Sequence, residues 1–135
     1  MRMLLLITLV LGLVSSGCSN AQARCPPTSP DAIRLLEKGG FTGDLDADIT
    51  FVAKAPGYCF FRYEYVFGQS GRMASRLIVF SDTGYAGSYA FAFDTLTVEG
   101  DRLAISLHTG IKASILLRDI GSMLLIDGEP LTFYK

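Results

Sequence analysis

Asp44, Asp46 and Asp48 alternate with Leu45 and Ala47, a spacing that can turn successive carboxylates onto one hard cation. A calcium loop of the EF-hand type also needs Gly at its sixth position and Glu at its twelfth, where this chain has Ile49 and Ala55. The run therefore reads as a solvated acidic lead-in to a strand, with a looser metal site as the alternative. His108 is the sole histidine, which excludes a multi-histidine centre. No nucleophile elbow, phosphate-binding loop, dinucleotide fingerprint or H-E-x-x-H pair is present. No catalytic residue and no cofactor is expected, and the chain reads as a non-enzyme.

The three cysteines are interpreted through the N-terminus. Arg2 supplies a positive start, and Leu4 to Val14 is an apolar run broken only by Thr8 and Gly12. About 11 residues is too short for the roughly 20 of a membrane-spanning helix and matches a signal peptide. Ser15-Ser16-Gly17-Cys18 resembles the bacterial lipobox, in which a cysteine behind small residues is lipidated and becomes the new N-terminus; Ser15 stands where an aliphatic residue is usual. Ala21-Gln22-Ala23 offers a competing cut that would release a soluble periplasmic or secreted protein. The lipobox reading makes Cys18 the lipid attachment site. It also makes residues 1–17 the signal (1–23 for the other cut), 18–28 a tether and 29–135 one domain. Ser19, by its resemblance to Gram-negative lipoproteins lacking Asp there, implies an outer-membrane lipoprotein facing the periplasm. Either cut leaves Cys25 and Cys59 in an oxidising compartment, where a disulfide between them is expected.

Twelve basic against thirteen acidic residues give a net charge of −1, so the clustered basic footprint of a nucleic-acid binder is absent. Roughly 110 residues remain after cleavage, enough for one core. A short helix is predicted at about 30–38, with Ser29 as its cap, Pro30 and Asp31 in its first turn and Gly39-Gly40 as its stop. From Ile49 onward the dominant period is two. Tyr58 to Phe67 puts Cys59, Phe61, Tyr63, Tyr65 and Phe67 on one face, and Tyr85 to Phe93 puts Tyr85, Tyr89, Phe91 and Phe93 on one face. Further alternating runs lie near 73–80, 95–98, 103–107, 112–117, 123–126 and 131–134, separated by Gly-rich or Asp-Gly turns. The fold class is mainly β: a small antiparallel meander of about eight strands, closing into a barrel or a sandwich. The segments around Glu99-Gly100-Asp101 and Asp127-Gly128-Glu129 echo one another as one tight hairpin used twice.

The aromatic stripes read first as core. Their tyrosines fit that reading least well, because a buried hydroxyl needs a partner. Tyr63, Tyr65 and Tyr89 are therefore binding candidates, lining a cavity for an apolar ligand in a closed barrel. Arg62, Arg72 and Arg76, around the Gly68–Gly71 turn, are candidates for one basic rim facing an acidic partner. Ser70-Gly71-Arg72 resembles, over three residues, the Ser-Gly loop of small periplasmic lysozyme inhibitors; Met73 and Ala74 replace the tyrosine that follows there, and no family is assigned on it. The reading is an exported envelope protein, membrane-bound through a lipid anchor, that binds a protein partner without catalysis, as an inhibitor or immunity protein would. A structural or assembly lipoprotein and a small-ligand barrel are the alternatives.

Overall fold

The computed structural model describes residues 25–67 and 71–135. The expected signal segment, both expected cleavage sites, Cys18 and most of the expected tether lie outside the described residues. The chain runs α1 (Ser29–Lys38), β1 (Asp48–Ala55), β2 (Tyr58–Phe67), β3 (Arg72–Ser81), β4 (Gly84–Ala90), β5 (Thr95–Glu99), β6 (Arg102–Ser106), β7 (Lys112–Leu116), a 3₁₀ turn (Leu117–Asp119), β8 (Leu124–Ile126), β9 (Glu129–Leu131) and β10 (Phe133–Tyr134). The fold is mainly β, as expected, and all pairings are antiparallel. They form a five-stranded sheet in the order β1-β2-β3-β4-β10, a three-stranded sheet β5-β6-β7 and a two-stranded sheet β8-β9. Among the described residues no sheet closes on itself. The described residues form ten strands rather than about eight, partly because the last alternating run splits at Thr132: β9 pairs with β8, whereas β10 crosses to β4.

The five-stranded sheet is covered on both faces. On one face α1 lays Ala32 and Leu36, both fully buried, against Cys59, Phe61, Tyr63, Ile78 and Phe80. On the other, Phe60, Leu77, Val79 and Tyr89 meet Leu96, Leu103, Ile105 and Ile115 of the three-stranded sheet and Leu124 and Ile126 of β8. Full burial of a residue such as Leu36 contributes about 1.5–3 kcal/mol. In the middle of β3, Leu77, Ile78, Val79 and Phe80 are all fully buried, because alternate residues feed opposite layers.

Thr28, rather than Ser29, caps α1: its hydroxyl accepts from the Asp31 amide at 3.3 Å. Ser29 instead donates its hydroxyl to the Ile49 carbonyl at 2.9 Å, tying the helix start to the edge strand β1. The stop is as expected. Gly40, at φ +79°, lets the Gly40 amide reach Glu37 O and the Phe41 amide reach Leu36 O, closing the last turn, and Phe41 packs in the same layer as Leu36.

Of the face expected to carry Tyr85, Tyr89, Phe91 and Phe93, the last three pack in one layer and Tyr85 lies in the other. The register of β4 against β3 slips between Val79 and Phe80: Tyr85 pairs with Phe80 and Gly87 with Val79, so one extra residue sits in β4. That residue reverses the parity, leaving Tyr85 on the helix side and Tyr89 on the opposite side. The strand also ends at Ala90, short of Phe93. The two echoed hairpins differ as well. Gly100-Asp101 is the first loop, with positive φ at Gly100 alone, whereas Asp127 (φ 52°) and Gly128 (φ 77°) form the second, one position earlier in the aligned sequence.

Candidate functional site

Cys25 and Cys59 stand at disulfide distance, with Cα atoms 5.5 Å apart, and so join the segment ahead of α1 to the start of β2. Among the described residues no group of three His, Cys, Asp or Glu side chains is arranged to hold a metal ion. The Asp44–Asp48 run is organised for a different purpose. The Asp44 carboxylate accepts the Asp46 amide at 2.8 Å, its backbone carbonyl accepts the Tyr63 hydroxyl at 2.8 Å, and its side chain is hydrogen-bonded to Tyr65. Asp48 is already in β1, opposite Glu64. Asp44 thus fastens the loop to the helix side of β2.

Of the three tyrosine candidates, two are interior. Tyr63 and Tyr89 are buried at 2% and 0% exposure. Tyr89 donates its hydroxyl to the Ser122 carbonyl at 2.8 Å and accepts the Gly121 amide at 2.9 Å, clamping β4 to the turn before β8. Burial raises the pKa of both phenols. The partners that a buried hydroxyl requires are thus backbone groups. Tyr65 is only partly buried, and the hydrogen bond to Asp44 raises its pKa by favouring the neutral phenol.

The three arginines do not share a rim. Arg62 pairs with Leu77, on the side away from the helix; its guanidinium lies 4.6 Å over the Phe93 ring and donates to the Asp94 carbonyl at 2.6 Å. It ties β2 to the loop before β5. The Asp94 carboxylate meets His108 in an exposed pair. Arg76 and Arg72 face the helix side, opposite Tyr63 and Phe67 respectively. Arg76 stacks over Phe41 and Tyr63 at 5.4 and 5.9 Å from the ring centroids. No carboxylate of the described residues pairs with it.

The registers expose a feature that side-chain type alone does not. β2 and β3 are each ten residues long and pair along their whole length, from Tyr58–Ser81 to Phe67–Arg72. Their neighbours are shorter. β1 reaches only the level of Glu64, and β4 only the level of Arg76. Residues 65–67 and 72–75 therefore project as a two-stranded arm that has no sheet neighbour on either side among the described residues. One face of the arm carries Tyr65, Phe67 and Arg72, and the other carries Val66 opposite Met73. Val66, Phe67 and Met73 are 57%, 46% and 49% exposed. The Tyr65 and Phe67 rings pack edge to face, 5.7 Å apart. Sequence reasoning placed Phe67 in a core stripe and passed over Val66 and Met73. The available signal was apolar residues on both faces just ahead of a turn, in runs longer than those of the flanking strands.

A second exposed apolar pair, Met123 and Leu125, borders a cleft of about 440 Å³ between β7 and β8. An apolar cleft lined by Phe91, Leu107, Ile126 and Leu131 measures about 230 Å³, below the ~300–1,000 Å³ of an ordinary small-molecule site. Comparison of the chain with protein-family models, with curated proteins and with solved structures found no match.

Proposed function

We propose that this chain is an exported envelope protein, anchored by lipid at Cys18, that binds another protein through the β2–β3 arm and carries out no catalysis. The observation that carries this reading is the arm itself: large apolar side chains about half exposed on a hairpin that outruns its sheet. A monomer gains nothing by exposing them there, whereas an aromatic and arginine cluster is the usual centre of a protein interface. Arg72 and Arg76, on the same strand face as Tyr65 and Phe67, fit a partner with an acidic rim around an apolar cleft. The interlayer space filled by Phe60, Leu77, Tyr89, Leu103 and Ile105 supports a sandwich rather than a hollow barrel, and so disfavours the small-ligand alternative. The inhibitor or immunity type of action suits such a protruding arm better than the structural-lipoprotein alternative does.

The test is capture from envelope extract by the full chain and by Phe67→Asp and Val66→Asp/Met73→Asp variants. Loss of a central aromatic anchor costs at least about 2 kcal/mol, roughly 30-fold in affinity. The expected result is one partner, retained by the parent chain, released by salt and lost from the variants. Equal capture by all three chains would reject the arm as the binding site.

A further inference from the structure

We infer that the Cys25–Cys59 junction, together with the length of the tether, keeps the arm from pointing at the membrane that carries the chain. The inference rests on the lipid-anchored, arm-binding reading above. Cys59 is the second residue of β2 and Phe67 its last. Eight steps of about 3.3 Å put roughly 26 Å between the junction and the base of the arm's tip. Cys25 is held at the Cys59 end, and the chain between it and the lipidated residue is short. From Cys18 to Cys25 is seven residues, which at full extension reach at most about 25 Å.

For the arm to point at its own membrane, the tether would have to run the whole length of β2 fully extended and still continue past the tip. It is too short. Releasing α1 (Ser29–Lys38) would not lengthen the tether, because α1 follows Cys25 and Cys25 is joined to Cys59. The surface beside the junction is then the membrane-facing one. It includes the exposed Pro27, Arg34 and Lys38 around a cleft at Cys25, Pro26 and Leu35.

The experiment uses the full lipidated chain in vesicles of phosphatidylethanolamine and phosphatidylglycerol that carry a headgroup quencher. A fluorescent amino acid replaces either Arg34 or Val66. Quenching at position 34 and none at 66 is expected, and a flexible spacer of about 20 residues inserted after Ser19 should abolish the difference. Equal quenching at the two positions in the parent chain, or a difference that survives the spacer, overturns the inference while leaving the anchor and arm readings intact. Failure of the chain to sediment with vesicles, matched by Cys18→Ala, overturns the anchor reading and this inference with it.

Discussion

Two buried tyrosines show how single side chains hold the layers. Tyr89 sits at 0% exposure, with its hydroxyl shared between the Ser122 carbonyl and the Gly121 amide. Tyr89→Phe leaves both backbone groups without that partner, and denaturant unfolding should show a loss of about 1–3 kcal/mol. The same hydroxyls make the fold sensitive to alkali. Burial raises the phenol pKa of Tyr63 and Tyr89 above its unfolded value, so the native state retains protons that the unfolded chain gives up. Their contribution is fully present below about pH 10 and is lost as pH rises through the elevated native values. Stability measured between neutral and strongly alkaline pH should fall, and the slope should be shallower in a Tyr63→Phe/Tyr89→Phe protein that still folds. The need for a hydroxyl partner was legible from residue type; the identity of that partner was not. Gly121 and Ser122 are more than thirty residues from Tyr89 and reach it only through the layer packing.

Hairpins were the most legible elements, because each turn carries its own chemistry. Asp127-Gly128 supplies two positive φ values, and Gly39-Gly40 ends α1. Layer assignment was less legible. One added residue in β4 exchanges every side chain beyond it between faces, and alternation alone carries no mark of where that happens. Gly87 is the trace left behind: a Cβ there would meet the Phe133 ring and the Tyr134 carbonyl. Gly87→Ala should push β10 off β4 at a cost of about 1–3 kcal/mol, with faster amide exchange at Phe133 and Tyr134 as the local readout. The arm behaves in the opposite way. Val66 and Met73 are about half exposed, so Val66→Thr/Met73→Thr, which keeps strand formers at this cross-strand pair, should move stability by no more than about 1 kcal/mol by thermal or denaturant unfolding. The arm was missed because overhang is a comparison between strands: it appears only when the ends of β1 and β4 are set against those of β2 and β3.

At the scale of the molecule, one bridge and one central strand dominate. The Cys25–Cys59 pair closes a loop with a sequence separation of 34. On the chain-entropy model such a closure contributes roughly 3–4 kcal/mol, so Cys25→Ser/Cys59→Ser should lower the unfolding midpoint while preserving the antiparallel CD signature. The pairing followed from the cysteine count once an oxidising compartment was inferred, whereas the three-layer arrangement depended on contacts far apart in sequence. That arrangement has a cost before it is complete. Leu77-Ile78-Val79-Phe80 is shielded in the native sheet by β2 and β4 at its edges and by a packed layer on each face. In a chain not yet folded, the same four residues are a bare, uncharged, strand-forming segment, the kind that stacks against its own copies. Arg76 on one side and Asp82 on the other flank it as charged gatekeepers. Aggregation of this protein during refolding should therefore start at that segment, and Arg76→Ala should increase turbidity at a given concentration even where native stability is unchanged.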